Sequence, residues 1–525
     1  MKKAITHQDL QLATGAQSRD TDKRTIESFG IPGQTLMEIA GNRAAEIIMT
    51  DFPSTASVLF ICGKGNNAGD AFVIARILLN YGYKVTLLPV LGDDGFSPDA
   101  QLNFDRLMHL SRETGVEVPV PKQMPAPDGF DLIVDGIFGT GLERPVTAPV
   151  SDVIDRINNS GKPVYALDIP SGIHSDSGDV LGCAVRADKT IQFGIRKLGC
   201  YLGDGPLYCG TRDLVSLPFP CIYKSDIRIR LADTALEPLR HLSSLPVSEQ
   251  AGDGRLSRIR RHKYSNGVVH VIGGSPGLTG APVYAARAAW SLGMGAVSLL
   301  YPSAWSVSME SLAPHLIKIP VGASRPAPGS GYFREEDAGV VLDHLREKKG
   351  MAVIGPGIGR HEQTRAFVRK VIQEHEGPMV IDADALRCIK GYEKIIAGKK
   401  HPAQVILTPH PGELAALTGG KQDGDLERLQ VVIKLATRLG CVILSKGSPV
   451  ILHSPEDMQT LVTPYDTTDF SRAGFGDILA GHIAAFLSRI SAPLSSCEHA
   501  LIYGFKKLTE IKSAGKQFPE PSDLS

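Results

Sequence analysis

The stretch VLFICGKGNNAGDAFVIARILLNYGYKVTLLPV, residues 58–90, determines the fold of the first half of the chain. An apolar run at 58–62 is followed by a glycine-rich loop, and a second apolar run occupies 85–90. Between them, apolar residues recur at helical spacing, namely Phe72, Ile74, Ala75, Leu78 and Leu79. Strand, loop, helix and strand form a βαβ unit, which implies a parallel sheet. We therefore expect an α/β fold.

Two later apolar runs each end in an aspartate. Leu132–Val134 leads into Asp135, and Val164–Leu167 leads into Asp168. Ligands of α/β proteins bind at the carboxyl ends of the strands, and a partly buried carboxylate there can act as a base or a cation ligand. One such aspartate is more often a loop cap, but two beside glycine-rich loops favour a site. The loop at 63–70, GKGNNAGD, adds amides for an anion and asparagines that suit a weakly hydrated cation or sugar hydroxyls.

The second half repeats this pattern. Apolar runs precede clusters of small or charged residues at Val268–Ile272, Met351–Ile354, Met379–Ile381, Val405–Leu407 and Val442–Ser445. Finally AGFGD, residues 473–477, precedes an apolar helical pattern over 478–490. Small residues before a helix can cradle a transferring phosphate, and Asp477 can take a proton from a substrate hydroxyl. A helix N-cap is the structural alternative for this aspartate.

Proline and glycine interrupt the pattern between 217 and 263, which predicts an interdomain connection. We expect a first domain at 1–220, a linker at 221–254 and a second domain at 255–525. The basic run at 255–263 is expected to be a solvated surface.

The composition excludes several classes of function. Lys plus Arg and Asp plus Glu both number 56, so the formal net charge is zero, and we expect no nucleic-acid partner. None of the eight cysteines forms a Cys-x-x-Cys pair, so we expect reduced thiols and no structural zinc. No apolar stretch reaches about 18 residues, so we expect no transmembrane helix. No apolar run follows Lys2 and Lys3, as a signal peptide would require. We expect a cytoplasmic protein with no membrane partner.

Five ordered motifs between residues 8 and 217 resemble the YjeF N-terminal family, the NAD(P)H-hydrate epimerases: FGIPGQTLMEIAG, GNNAGD, VDGIFGTGL, LDIPSG and ADKTIQFG. The resemblance implies a Rossmann-like three-layer fold, with Asp168 in the catalytic centre. The implied potassium ligands are Asn67, Asp135 and Ser171. The implied contacts to the hydrated nucleotide are Asn66, Asn67, Ala68, Gly69, Asp70, Gly139, Thr140, Gly141, Leu142, Glu143, Arg144, Pro145 and Asp168. The family loop usually reads NNGGDG, and here Ala68 and Ala71 replace two glycines.

Six motifs between residues 255 and 510 resemble the ribokinase-like NAD(P)H-hydrate dehydratase domain: VIGGSPGLTGAP, GPGIG, DADAL, TPHPGE, SKG and AGFGDILAG. The resemblance implies a ribokinase-like α/β fold with Asp477 as the catalytic base. The implied hydrate contacts are Ala281, Gly357, His410 and Asp477. The implied nucleotide contacts are Lys446, Gly447 and Gly476. Phe475 departs from the family, which usually has Ser or Thr there, and Val450 stands where Thr is common.

Together the halves resemble the bifunctional NAD(P)H-hydrate repair enzymes. The implied substrates are NADHX and NADPHX, which carry water across a nicotinamide C=C bond and a hydroxyl at C6. A potassium-dependent isomerase would interconvert the R and S hydrates, and a lyase would use ADP and Mg²⁺ to dehydrate the S form. We also expect a homo-oligomer. Two alternatives stay open: a ribokinase-like small-molecule kinase, and a binding protein with a non-catalytic first domain.

Overall fold

A computed structural model describes residues 7–239, 266–322 and 331–525. They divide into two units. The first contains the described residues up to Leu231 together with Gly424–Leu426, and the second contains the rest. The basic run at 255–263 lies outside the described residues.

The first unit contains strands and helices in alternation. Its strands are β1 (Leu12–Ala13), β2 (Ser57–Cys62), β3 (Lys84–Pro89), β4 (Leu132–Gly136), β5 (Val164–Leu167), β6 (Lys189–Phe193), β7 (Arg196–Lys197), β8 (Thr211–Val215) and β9 (Ile229–Leu231). Its helices are α1 (Gly15–Glu27), α2 (Gly33–Asp51), α3 (Asn66–Asn80), α4 (Pro98–Thr114), α5 (Val150–Asn158) and α6 (Gly205–Tyr208). The apolar runs of the sequence correspond to β2, β3, β4 and β5, so these predictions are confirmed.

A parallel sheet with the strand order β3-β2-β4-β5-β6-β8 forms the centre of the first unit. The chain moves from β2 to β3 on one side and then returns to β4 on the other side of β2. The order therefore reverses between β2 and β4. Such a switch point opens a crevice at the carboxyl edge of the sheet, where α/β proteins bind ligands. The loops that follow β2 and β4 are the two glycine-rich loops of the sequence.

Helices cover both faces of this sheet. Along β2, Val58, Phe60 and Cys62 belong to the apolar cluster that contains α2 and α3. The alternate residues Leu59 and Ile61 belong to a second cluster, which contains α5. Since successive strand residues point to opposite faces, the two clusters lie on opposite sides. The three-layer prediction is confirmed.

The segment after β8 contains more regular secondary structure than the sequence predicts. The predicted linker contains a 3₁₀ turn at Cys221–Lys224 and the strand β9. Its residues Ile227 and Leu231 are buried. Between them, apolar and basic residues alternate with the two-residue period of a strand. The boundaries at 220 and 254 stay predictions, and residues 240–254 of the linker lie outside the described residues.

The second unit is built on a larger sheet. Its strands are β10 (Val268–Ile272), β11 (Ala296–Pro302), β12 (Ile317–Val321), β13 (Met351–Ile354), β14 (Met379–Ile381), β15 (Val405–Leu407), β16 (Val442–Ser445), β17 (Ile451–Ser454) and β18 (Gln459–Val462). Within the unit they run in the order β12-β11-β10-β13-β14-β15-β16-β17-β18. Pairing is parallel from β12 to β16 and antiparallel from β16 to β18. The five apolar runs predicted as strands are β10, β13, β14, β15 and β16.

The helices of this unit include one that carries the AGFGD motif. They are α7 (Gly280–Ser291), α8 (Ser306–Leu312), α9 (Ala338–Glu347), α10 (Glu362–Glu374), α11 (Asp384–Cys388), α12 (Lys394–Ala397), α13 (Pro411–Thr418), α14 (Gly424–Leu439, which belongs to this unit from Glu427 onwards), α15 (Phe475–Ile490) and α16 (Pro493–Ser513). Helix α15 packs on α7 and on the sheet. A Cβ on Gly481 would lie 2.1 Å from the Ala285 carbonyl oxygen, so this close crossing requires glycine. In the described part of the chain, no helix is long and apolar enough to cross a membrane.

Candidate active sites

A cavity of about 790 Å³ opens in the first unit at the switch point between β2 and β4. Most of the predicted hydrate contacts line it: Asn66, Asn67, Asp70, Gly139, Thr140, Gly141, Leu142, Glu143, Arg144 and Asp168. Ala68, Gly69 and Pro145 are not among the lining residues. Ala68 and Ala71 lie within α3, where the backbone is helical and both methyl groups are buried. Alanine in place of glycine is therefore accommodated at both positions.

The predicted potassium ligands are neighbours, since Asn67 and Ser171 both contact the backbone of Phe138 and Ser171 contacts Asp135. The carboxylate of Asp135 accepts hydrogen bonds from the hydroxyl of Ser171 at 2.6 Å and from its backbone N–H at 2.8 Å. Burial raises the pKa of Asp135 to about 6, although the bonds from Ser171 oppose this shift. The amide of Asn67 donates to the Phe138 carbonyl at 3.0 Å. Its Oδ1 atom is buried and has no hydrogen-bond partner among the described residues.

The unpartnered oxygen of Asn67 is available to bind a cation. Asn67 Oδ1, the Ser171 hydroxyl and the Asp135 carboxylate supply oxygens with a single formal charge. Mg²⁺ favours a nearly ideal octahedron that retains several waters, whereas a large monovalent ion accepts a looser set of neutral oxygens. The donor set therefore fits potassium.

Asp168 lies at the carboxyl end of β5 and faces the cavity. Its backbone adopts a left-handed conformation, with φ of 67°, which is uncommon for residues other than glycine. Its carboxylate accepts from the backbone N–H of Phe193 at 3.2 Å and forms an ion pair with Lys197. The Lys197 side chain is almost fully buried and also donates to the Phe193 carbonyl at 2.7 Å. The ammonium group of Lys197 therefore lies in the wall of the cavity.

A cavity of about 540 Å³ in the second unit contains the AGFGD loop. The predicted residues His410, Lys446, Gly447, Gly476 and Asp477 all line it. The predicted residues Ala281 and Gly357 do not line it, but they lie beside each other. A Cβ on Gly357 would be 3.1 Å from the Ala281 side chain.

Lys446 connects the strand ends to the N-terminus of α15. Its ammonium lies 2.6 Å from the buried carboxylate of Asp382, which also accepts from the Thr408 hydroxyl at 2.7 Å. Burial lowers the pKa of Lys446, but nearby carboxylates, above all Asp382, outweigh burial and hold it above its ordinary value. A Cβ on Gly476 would lie 3.2 Å from the ammonium nitrogen. Glycine there leaves the cation beside the first turn of the helix, where an anion binds favourably.

Asp477 is the third residue of α15, and the N-cap is Gly474, so the N-cap interpretation of this aspartate is wrong. Its side chain faces the cavity together with Lys446. Burial raises the pKa of Asp477 to about 8, Asp382 adds to the rise, and Lys446 opposes it. Asp477 is thus a carboxyl group whose proton can be gained or lost near neutral pH.

His410 has a structural role as well as a position in the cavity. It is the N-cap of α13, and its Nδ1 atom accepts from the backbone N–H groups of Gly412 at 3.0 Å and Glu413 at 3.3 Å. Glu413 accepts in return from the backbone of His410 at 3.0 Å. Burial raises the pKa of Glu413 to about 7. The other ring nitrogen of His410, Nε2, lies on the side of the cavity, 3.3 Å from Glu413 Oε1.

Phe475 is a core residue. Its buried ring packs in a cluster with Ala288, Leu508 and Leu524, and it makes an edge-to-face contact with Phe470 at a centroid distance of 5.7 Å. The cluster joins α7, α15, α16 and the end of the chain. The aromatic ring therefore helps to pack the loop. Phe475 also lines the cavity, together with Gly474 and Gly476, which have only backbone groups to present there.

The ionisable cavity residues that the sequence-based site misses include Asp22, Lys197, Asp382 and Glu413. Asp382 and Glu413 lie in the quoted motifs DADAL and TPHPGE, so their strand-end positions were a usable signal. Lys197 follows the motif ADKTIQFG by three residues. Asp22 lies on α1 in a run of charged residues, which resembles any solvated helix face.

Comparison with known proteins identifies both halves. Residues 33–199 match the family model of the YjeF-related protein N-terminus, and residues 269–503 match that of NAD(P)H-hydrate dehydratase. The chain is 32% identical over 511 residues to the bifunctional NAD(P)H-hydrate repair enzyme Nnr of Salinibacter ruber, covering 94% of this chain and 90% of that protein. The Moorella thermoacetica enzyme of the same name is 31% identical, with coverages of 98% and 95%.

The chain belongs to the family of bifunctional NAD(P)H-hydrate repair enzymes. This confirms the resemblance seen in the motifs and the pairing of an epimerase domain with a dehydratase domain. Among solved structures, the ADP/ATP-dependent NAD(P)H-hydrate dehydratase of Bacillus subtilis, co-crystallized with ATP and Mg²⁺, is similar to the chain at 20% identity and a TM-score of 0.41. The match covers 55% of this chain and 94% of that one.

Proposed function

We propose that the protein restores NADH and NADPH from their hydrates, by exchanging the R and S epimers in the first domain and dehydrating the S form with ADP in the second. The observation that carries this proposal is the presence, in one chain of this family, of two cavities that each combine a lysine–carboxylate ion pair with a glycine-rich loop. We assign the domains to 1–220 and 255–525, with a linker at 221–254.

In the first domain, epimer exchange requires the bond between C6 and its hydroxyl to break and form again on the other face. The adjacent ring nitrogen can supply the electron pair that expels the hydroxyl. Asp168 and Lys197 lie in the cavity wall, where they can bind and orient the polar carbinolamine. Asn67, Asp135 and Ser171 would hold the potassium ion, whose positive charge would favour binding of the anionic nucleotide nearby.

In the second domain, dehydration is easier when the C6 hydroxyl first becomes a phosphate, because phosphate is a better leaving group than hydroxide. Asp477 can take the hydroxyl proton as the oxygen attacks the nucleotide. Lys446 and the first turn of α15 can balance the charge of the transferring phosphoryl group. Mg²⁺ would accompany the nucleotide phosphates, with Asp382 and Asp477 as the nearby carboxylates. Contacts of Ala281 and Gly357 with the hydrate stay predictions.

The decisive experiment supplies the full-length protein with mixed hydrate epimers, ADP, Mg²⁺ and K⁺ and follows the absorbance of reduced nicotinamide. Complete recovery requires both activities. Recovery of about the S fraction alone would support the dehydratase and favour the binding-protein alternative for the first domain. No recovery, together with ATP-dependent phosphorylation of another small molecule, would favour the kinase. A cytoplasmic location, a homo-oligomer and the absence of a nucleic-acid partner are further predictions, testable by fractionation, light scattering and retention on DNA.

A further inference from the structure

Helix α1 places Asp22 in the cavity of the first unit. The same helix contributes Ser18 and Arg19 to the lining, and Arg19 donates to the Thr140 carbonyl at 2.9 Å. Thr140 belongs to the loop predicted to contact the hydrate, so α1 forms one wall of that site. The helix ends at Glu27, before the family-model match begins at residue 33. A functional role for Asp22 is therefore indicated by its position in the cavity and by none of the matched motifs.

Acidic groups surround Lys197 in this cavity. Asp22, Asp70 and Asp168 line the same cavity as Lys197, whose ammonium forms an ion pair with Asp168. The other charged residues of the lining are Arg19, Lys64, Asp99, Glu143 and Arg144. Lys197 favours the ionised forms of both Asp22 and Asp70, but it is already paired with Asp168, and like charges at close range resist joint ionisation. Burial raises the pKa of Asp22 to about 6; Lys197 opposes the rise and Asp168 adds to it. Burial, Asp168 and Asp22 together hold the pKa of Asp70 well above its usual range.

We propose that Asp22 is a catalytic acid–base residue of the epimerase site, which exchanges a proton with the C6 hydroxyl of the hydrate. The inference rests on the proposed epimerase function. Arg19 and the Lys197–Asp168 pair would position the substrate and the neighbouring carboxylate. The cluster supplies what the reaction needs, a carboxyl that gains and loses a proton more readily near neutral pH than an ordinary aspartate, beside a carboxylate that is ion-paired.

The proton transfers balance over one turnover. Asp22 gives its proton to the C6 hydroxyl, the C6–O bond breaks with release of water, and the ring-nitrogen lone pair forms the N1=C6 bond. Water then adds to the other face of C6, and the N1=C6 electron pair returns to nitrogen. The proton lost by that water returns to the carboxylates of the cluster. The enzyme ends with the protons with which it began, and no oxidant or reductant is consumed.

The test measures epimer exchange of purified R-hydrate by the full-length protein without nucleotide, as kcat/KM from pH 5 to 9. For the wild type, kcat/KM should fall as the pH rises above about 6, because the acid loses its proton. Asp22→Asn should lower kcat/KM at least about a hundredfold and abolish this pH dependence, whereas Asp22→Glu should restore part of both. Asp20→Asn is the matched control, because Asp20 lies on the same helix with an exposed side chain that pairs only loosely with Arg24, at 3.6 Å.

The outcomes separate the inference from the function on which it rests. A wild type that exchanges no epimers overturns the epimerase function itself. An active wild type with an equally active Asp22→Asn variant, or one whose pH profile keeps its shape, overturns the role of Asp22 alone. Thermal melting distinguishes misfolding, since a neutral isostere in a crowded acidic cluster should melt no lower than the wild type. If Asp22→Asn does melt lower, two further measurements decide the matter. An acid–base role requires that the variant lose epimer exchange while its ADP-dependent dehydration rate and its hydrate binding stay normal. Weaker hydrate binding with unchanged kcat would contradict that role.

Discussion

Asp477→Asn is the sharpest test of the second site, because asparagine keeps the shape of the side chain and removes its proton acceptor. Loss of a general base typically costs 10²- to 10⁴-fold in rate, or about 3–5 kcal/mol of transition-state stabilisation. The pKa of Asp477 is about 8, so only about a tenth of the wild-type carboxyl is ionised at pH 7. We expect kcat/KM to rise about tenfold per pH unit below 8 and then to level.

The assay follows recovery of reduced nicotinamide from purified S-hydrate with ADP and Mg²⁺. Asp477→Asn should be slow and nearly independent of pH, while its epimer exchange in the other domain stays normal. The control is Asp469→Asn, because Asp469 lies on the segment before the AGFGD loop and pairs with Lys512 outside the cavity lining. A variant at position 477 as active as the wild type would refute the assignment of the base.

Stability provides an independent readout of the same group. The folded-state pKa of Asp477 lies above the unfolded value of 3.8, so the folded protein holds this proton more tightly. Between pH 4 and 8, the unfolded state gains more from ionisation as the pH rises, and this carboxyl lowers stability. Asp477→Asn should therefore melt at or above the wild-type temperature at pH 7, and the difference should shrink towards pH 4.

Three further predictions follow from the described contacts. Phe475→Ala should lower the free energy of unfolding by about 3–5 kcal/mol in a denaturant titration, because it empties a packed cluster; faster turnover without destabilisation would mean that the ring obstructs the loop. Epimer exchange should be faster in potassium chloride than in tetramethylammonium chloride, and Asp135→Asn should remove the difference; equal wild-type rates would exclude a functional ion. Burial lowers the pKa of His270 and His375 to about 4, so between about pH 6.5 and 4 the unfolded state binds more protons than the folded state. The melting temperature should therefore fall as the pH is lowered through this range, and His270→Asn should weaken that fall.

The strands were readable from the sequence because parallel strands buried on both faces form continuous apolar runs. Val268–Ile272 and Val442–Ser445 are examples whose bounds match the structure. The strand order was not readable, because it depends on where each crossover helix packs. The reversal between β2 and β4, which opens the first cavity, is therefore a property of the tertiary fold.

Residues at strand ends were predictable for the same reason, since chain order brings them to one edge of the sheet. Asp135, Asp168 and Lys446 follow this rule. Asp22 does not, because it comes from a helix before the sheet. Only tertiary packing turns Asp22 and Arg19, out of the many charged side chains of that helix, towards the cavity. The role of Phe475 was hidden in a similar way, since its partners Ala288 and Leu524 come from distant parts of the chain.

The two cavities share one electrostatic arrangement. In each, a lysine is ion-paired with a strand-end aspartate, Lys197 with Asp168 and Lys446 with Asp382. A further carboxyl nearby then has a raised pKa, about 6 for Asp22 and about 8 for Asp477. Raising the pKa of a carboxyl group in this way is how proteins obtain acids and bases near neutral pH. Both proposed reactions act on the C6 hydroxyl, which must receive a proton to leave as water and lose one to attack a phosphate, so each cavity contains a carboxyl suited to its half of the repair.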